Sequence, residues 1–357
     1  MSSTGIERIP ISILTGFLGS GKTTLLNRLL KSPEAAESAV IINEFGEIGL
    51  DHLLIEKIDG ETVLLESGCV CCTVRNDLVD TIARLLDRRR SGEVPPFRRL
   101  VLETTGLADP SPILHVLMTE PRIAGRLRAD SVVCTVDAVN ALATLAGHHE
   151  SERQAAMADC LVLTKTDLAD AAQVRLVEEA LRRLNSAAPI VYAAAGDLDA
   201  AKLLHAGLHD PGTRQSMPNR WLGVEVSDRK TGWHDARAYR LLGEVHGKGI
   251  QTFHVVLDTP LTWAQLSEWL RTLNERRGSQ LLRVKGIVNV EGQDGPVVVH
   301  GVQQLIHIPI VLPQWPTADR CSRIVFITDG LEPGVLQKDL DGILHPGISL
   351  LQEERST

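Results

Sequence analysis

The sequence predicts an α/β fold: a mainly parallel sheet covered by helices on both faces, followed by a smaller α+β domain. Three observations lead there. From residue 8 to about residue 200, short apolar runs alternate with amphipathic helical stretches. Several runs are apolar at consecutive positions, as strands buried on both faces are. A glycine-rich segment joins the first run to the first helical stretch.

The runs "IPISILTG", "SAVIIN", "TVLLE", "RLVLET", "SVVCTVD", "CLVLTK" and "PIVYAAA" read as successive strands. Between the third and fourth, "NDLVDTIARLLDRR" places Leu78, Val79, Ile82, Leu85 and Leu86 on one helical face. This βαβ rhythm predicts a mainly parallel sheet covered by helices on both sides. A first domain is expected over 8–206. Residues 207–248, rich in Gly, Pro, Arg and Asp, read as a linker. Residues 249–345 change pattern: strand "IQTFHVVLD", helix "TWAQLSEWLRTLNERR", a hairpin around "EGQDG", strand "RIVFITD" and a last helix from about Pro333. Trp263 and Trp269, both in the predicted helix, read as packing residues.

The totals narrow the function. A chain of 357 residues with 43% hydrophobic residues can bury a sizeable core. Its formal net charge of −8 disfavours a life on nucleic acid or anionic membranes. The start, "MSSTGIERIP", lacks the basic-then-apolar pattern of a secretory signal. No apolar run approaches the ~18 residues of a membrane span. A cytoplasmic location is expected, where thiols stay reduced and clustered cysteines suggest metal or redox work.

"GFLGSGKTT" fits the phosphate-binding pattern G-x-x-x-x-G-K-[ST] with Gly16, Gly21, Lys22 and Thr23, after a strand and before a helix. Its glycines let consecutive N–H groups point inward at phosphate oxygens, and the helix N-terminus adds its dipole. Lys22 would neutralise the β and γ phosphates and Thr23 would ligate Mg²⁺. The fold is therefore expected to be that of a P-loop NTPase. "LVLETTG" supplies the acidic partner: Glu103 for the Mg²⁺ shell, with the Gly106 amide near the γ-phosphate. "LTKTD" points to the base. Asp167 can accept from N1–H and the 2-amino group of guanine, whereas adenine would leave it unpaired. Lys165 would lie along the base. Thr164 stands where Asn is usual, a change expected to relax base discrimination. GTP and Mg²⁺ are the expected cofactors.

"LESGCVCCTV" crowds Cys69, Cys71 and Cys72 between the phosphate loop and Glu103. In GTP-binding proteins that interval holds the segment that senses the γ-phosphate. The three thiols can meet one ion only if the chain bends, as Gly68 and the following helix allow. Zn²⁺ wants four ligands, so Glu44 or Glu47, His52, water or a partner would complete the site; cobalt and nickel accept similar ligands. A redox switch or incidental thiols are the competing readings. Cys134 and Cys160 lie in strand runs and read as core; Cys321 stands alone. "HHE", His148 to Glu150, reads as a solvated loop, and His300 and His307 as scattered.

With "GFLGSGKTT", "NEFGEIGLD", "GCVCC", "ETTG" and "TKTD" in this order, the chain closely resembles the CobW-type metallochaperone GTPases, relatives of HypB and UreG. The later "LLRVKG" and "RIVFITDGLEP" resemble that family's C-terminal domain. The resemblance implies GTP hydrolysis coupled to binding and delivery of a transition metal, zinc or cobalt, to a client metalloenzyme. By motif it carries over phosphate binding to Gly19, Ser20, Gly21, Lys22, Thr23 and Thr24, and Mg²⁺ to Thr23 and Glu103. Guanine falls to Lys165 and Asp167, and metal to Cys69, Cys71 and Cys72. Glu44, Glu47 and Asp51 lie in the switch segment, Asp51 as a further Mg²⁺ candidate. Two departures stand out: Ile42 occupies a position where some members carry a carboxylate, and no histidine-rich loop is present in the second half. A second copy of the chain is the other candidate partner. The rival readings are an ATP-using phosphotransferase with a structural metal knuckle, which "TKTD" opposes, and a non-catalytic metal sensor, which no DNA-binding motif supports.

Overall fold

The first apolar run becomes β1 (Ile9–Gly16), which takes the centre of a seven-stranded sheet. Around it lie β2 (Ser38–Ile42), β3 (Val63–Glu66), β4 (Arg99–Glu103), β5 (Leu127–Asp137), β6 (Cys160–Thr164) and β7 (Ile190–Tyr192). Their order is β3-β2-β4-β1-β5-β6-β7, and every pair is parallel. All five residues of β2, β4 and β6 are buried, which is why these strands read as unbroken apolar runs. The chain leaves β1 for one side of the sheet and returns on the other, so a crevice opens at the carboxyl ends of β1, β4 and β5.

The computed structural model describes residues 8–35, 37–42, 63–66, 74–193, 200–204, 239–242, 249–306, 309–315 and 319–344. It divides into two units, 1–182 with 188–216 and 183–187 with 217–357. Among the described residues no helix is long and apolar enough to cross a membrane.

In the first unit α1 (Lys22–Leu30) buries Leu25, Leu26, Leu29 and Leu30 against Leu14, Val101, Val133 and Val162 of the sheet. The next helix, α2 (Val74–Ser91), begins just ahead of the predicted Asn76. Its Leu78, Val79, Ile82, Leu85 and Leu86 are all buried, as their spacing requires. The α3 helix (Pro110–Thr119) starts on an Asp109 cap with proline at its first position. Five more helices follow: α4 (Pro121–Ala124), α5 (Ala141–Gly147), α6 (His149–Met157), α7 (Ala171–Leu184) and α8 (Ala200–Leu204). The "HHE" segment is solvated as expected, but it is helical from His149 rather than a loop. His148 takes the N-cap position of α6 and lies tilted against Phe17, ring centroids 4.5 Å apart.

The second unit is an antiparallel sheet of β8 (Tyr239–Leu242), β9 (Ile250–Leu257), β10 (Leu281–Val288), β11 (Val297–Val302), β12 (Leu305–Ile306) and β14 (Ser322–Asp329). The short β13 (Ile310–Val311) pairs with β11. The four-residue β8, too short to register as a pattern, lies inside the 207–248 stretch that reads as a linker. Helices α9 (Trp263–Arg277) and α10 (Pro333–Leu344) complete this unit. A capping box between Thr262 and Gln265 starts α9. Trp269, 1% exposed, meets Phe326 edge-on at 5.8 Å. Trp263, in contrast, is 40% exposed: it falls in the first turn, off the buried stripe, so it is no core residue.

Candidate nucleotide site

Strand register decides what gathers at the crevice. Leu14 of β1 pairs with Glu103 of β4, and Ile42 of β2 pairs with the same residue from the other side. Glu103 is therefore held at the centre of the carboxyl edge, only 5% exposed. Thr104 locks the exit of β4, its amide donating to the Leu14 carbonyl and its hydroxyl to Thr15 Oγ1. Ile42, its partner on β2, is an apolar residue of the core.

The phosphate loop leaves β1 at Gly16. A Cβ there would fall 2.2 Å from Thr135 Oγ1 and 2.5 Å from the Thr135 carbonyl, so only glycine lets β1 and β5 close at this point. Gly19 and Gly21 have φ of +69° and +92° and curl the loop, and α1 begins directly behind it. The Lys22 ammonium folds onto its own loop, donating to the carbonyls of Gly16 at 3.0 Å and Phe17 at 3.2 Å. Polyphosphate would offer it oxygens in exchange, so the cation is never left buried without acceptors.

The Thr23 hydroxyl donates to Glu103 Oε1 at 2.9 Å, across 80 residues of chain. Two oxygens bound to one Mg²⁺ at 2.0–2.1 Å in octahedral geometry lie about 2.9 Å apart along an edge, so this pair fits a shared ion. Gly106 follows on the same loop, pressed against the phosphate loop; a Cβ on it would lie 2.7 Å from the Leu18 nitrogen. Thr24 is exposed beside the site.

On the base side, Thr164 ends β6 and Asp167 is exposed on the loop beyond it. Lys165 adopts φ +55° and its ammonium pairs with Asp137 Oδ2 at 2.8 Å. Burial pushes the Asp137 carboxyl up, but bonds from Lys165, Asn140 and the Val139 amide outweigh it and hold it below the ordinary carboxylate value. The Thr164 hydroxyl turns inward to the Ser20 and Val136 carbonyls, at 2.8 and 3.1 Å.

The structure thus brings Gly16, Gly19, Ser20, Gly21, Lys22, Thr23, Thr24, Glu103, Gly106, Thr164, Lys165 and Asp167 to one edge of one sheet. Cys69, Cys71, Cys72, Glu44, Glu47, Asp51 and His52 lie outside the described residues, as does His307. The described residues alone bring together no group of three or more His, Cys, Asp or Glu side chains suited to a metal ion. Cys134 and Cys160 are buried, and burial pushes the Cys134 thiol up to about 12, too high for a ready ligand.

Sequence reasoning passed over three contributors. Asp137, which orients Lys165, carries the same signal as Glu103, a carboxylate ending a buried strand. Gln154, fully buried on α6, donates to the carbonyls of Gly106 and Ala108 at 3.0 Å each and so fixes the β4–α3 loop. Thr135 holds Ser20. No local pattern announces Gln154 or Thr135. A hollow of about 410 Å³ beside the loop is lined by Phe17, Leu18, Asp137, His148 and Gln154 among others.

Residues 10–192 match the family described as CobW/HypB/UreG, nucleotide-binding domain, and residues 250–344 match the cobalamin synthesis protein cobW C-terminal domain. Zinc chaperone YjiA of Escherichia coli is 33% identical over 319 residues, covering 89% of this chain and 93% of the relative. Zinc chaperone CobW of Pseudomonas aeruginosa is 31% identical over 367 residues, covering 94% and 91%. The crystal structure of Zn(II)-bound YjiA GTPase from E. coli resembles this fold with a TM-score of 0.68 at 26% identity, over 94% of this chain and 99% of that one.

Proposed function

The chain belongs to the CobW/HypB/UreG family, and from that premise we propose that it is a GTP-hydrolysing metallochaperone. It binds a transition metal, zinc first and cobalt second, through Cys69, Cys71 and Cys72, and delivers it to a client metalloenzyme in the cytoplasm. The observation that carries the nucleotide half is the 2.9 Å contact between the Thr23 hydroxyl and Glu103, one residue from Lys22. The zinc half is supported by relatives named as zinc chaperones.

In this reading the loop amides from Gly19 to Thr24 hold the phosphates, and Lys22 exchanges the Gly16 and Phe17 carbonyls for phosphate oxygens. Thr23 and Glu103 would hold Mg²⁺, which would supply neutralisation of phosphate charge. Asp167 accepts from the guanine edge, and Asp137 steers Lys165 beneath it. Glu44, Glu47 and Asp51 belong to the segment that γ-phosphate orders, so that occupancy of the phosphate cradle tightens the thiolate site. By linkage, GTP raises zinc affinity and zinc raises GTP affinity by the same factor.

Two measurements test this. Phosphate release from GTP is expected to exceed that from ATP. Competition titration of zinc with a GTP analogue, with GDP and without nucleotide is expected to give the tightest binding with the analogue. Equal zinc affinity in all three states overturns the coupling.

A further inference from the structure

Thr164 opens the base-recognition motif, yet its hydroxyl points at the phosphate loop. It donates to the Ser20 carbonyl at 2.8 Å, with the Val136 carbonyl at 3.1 Å as its second neighbour. Ser20 is held from its side chain as well: its hydroxyl lies 2.7 Å from Thr135 Oγ1, which donates to the Thr15 carbonyl at 3.3 Å. If Thr135 gives its proton to Thr15, Ser20 must be the donor in the first contact. All three hydroxyls are inaccessible, with Ser20 2%, Thr135 1% and Thr164 7% exposed, so water does not compete for these bonds.

The consequence follows from the planar trans peptide. In the Ser20–Gly21 unit the carbonyl and the N–H point in opposite directions. Drawing the Ser20 oxygen toward β6 therefore aims the Gly21 N–H the other way, off β6. Gly21, at φ +92°, has enough freedom to take either orientation of that peptide. The Thr164 methyl packs close behind, 3.6 Å from where a Gly21 Cβ would sit.

We infer that Thr164, with Thr135, is a positioning residue for phosphate, not a determinant of base choice. Two hydroxyls pin Ser20, and the Gly21 amide is thereby given a fixed direction for phosphate. The inference rests on the GTPase reading above, and it reverses the expectation that threonine at this position relaxes base discrimination. Guanine choice stays with Asp167, three residues further on and exposed.

The test compares Thr164→Val, which keeps the shape and removes the hydroxyl, with Thr164→Ser, which restores it, in the full-length chain. Affinities for GDP, a non-hydrolysable GTP analogue and the matching ATP analogue are measured by titration, with circular dichroism and melting to report folding. The Val variant should lose about five- to tenfold for all three nucleotides, the size of one hydrogen bond and a carbonyl left unpaired. Its GTP-to-ATP ratio should stay at the wild-type value, and the Ser variant should recover most of the loss. Ser20→Ala, which cuts the other tether and leaves Thr164 intact, should reproduce the parallel loss if Thr164→Val fails to fold. Unchanged affinities, or a GTP-to-ATP ratio that shifts while GDP affinity holds, overturn the inference. A wild-type chain that prefers the ATP analogue overturns the guanine reading alone, because the tether is then judged on that nucleotide.

Discussion

Replacing Gly106 by alanine adds one methyl group at the point where the β4–α3 loop meets the phosphate loop. A Cβ there would stand 2.6 Å from Leu18 Cδ2, 2.7 Å from the Leu18 nitrogen and 2.8 Å from its Cα. The leucine tip can rotate away, but two of the three atoms are backbone and cannot. Ordinary contact begins near 3.4 Å, so the loops must separate by about 0.7 Å. Gln154 resists that movement by holding the Gly106 and Ala108 carbonyls. Overpacking of this kind costs about 1–3 kcal/mol of stability. On the proposed GTPase reading the functional loss is larger, because displacement near 1 Å at a reacting centre costs on the order of 100-fold in rate. We expect Gly106→Ala to remain folded in a urea titration yet to hydrolyse GTP roughly 10- to 100-fold more slowly. The double variant Leu18→Ala/Gly106→Ala is diagnostic, since trimming the leucine relieves only the Cδ2 contact. Wild-type turnover in Gly106→Ala, or full recovery in the double variant, would refute the backbone-collision argument.

The remaining predictions concern charge. Arg99, buried on β4, donates to Asp130, to Ser12 Oγ at 3.2 Å and to the Leu204 carbonyl of α8 at 2.7 Å. Arg99→Ala strands a buried carboxylate, a loss of about 3–5 kcal/mol. Arg128, 3.1 Å from the other Asp130 oxygen, remains, so chemical unfolding should report a value near the lower end. Asp137 has a folded-state pKa below its ordinary 3.8, so its stabilisation is fully present above that pH. It is lost as pH falls through the depressed value. Acid titration of wild type against Asp137→Asn should show a stability gap that is constant near neutrality and closes below about pH 4; a gap that widens in acid would show the sign to be wrong.

Much of this protein can be read without coordinates, because much of it is local. Consecutive apolar residues announce buried parallel strands, a 3.6-residue stripe announces α2, and "GFLGSGKTT" carries its own strand–loop–helix context. Trp263 is not the packing residue expected, and "HHE" is solvated as expected but helical, for the complementary reason: burial of one side chain, or the contact of His148 with Phe17, depends on what a distant segment places beside it. Residue types also point to the chemistry proposed for Lys22, Thr23 and Glu103. Only the sheet order could set Thr23, at the start of α1 behind β1, 2.9 Å from Glu103 of β4, since neither β1 nor β4 encodes which neighbour it will pair with. The same holds for Gly106 against Leu18, for Lys165 on Asp137 and for Thr164 on Ser20. Each is a contact between strand ends and loops that meet only because β1, β4, β5 and β6 lie side by side, and register is a property of the whole sheet.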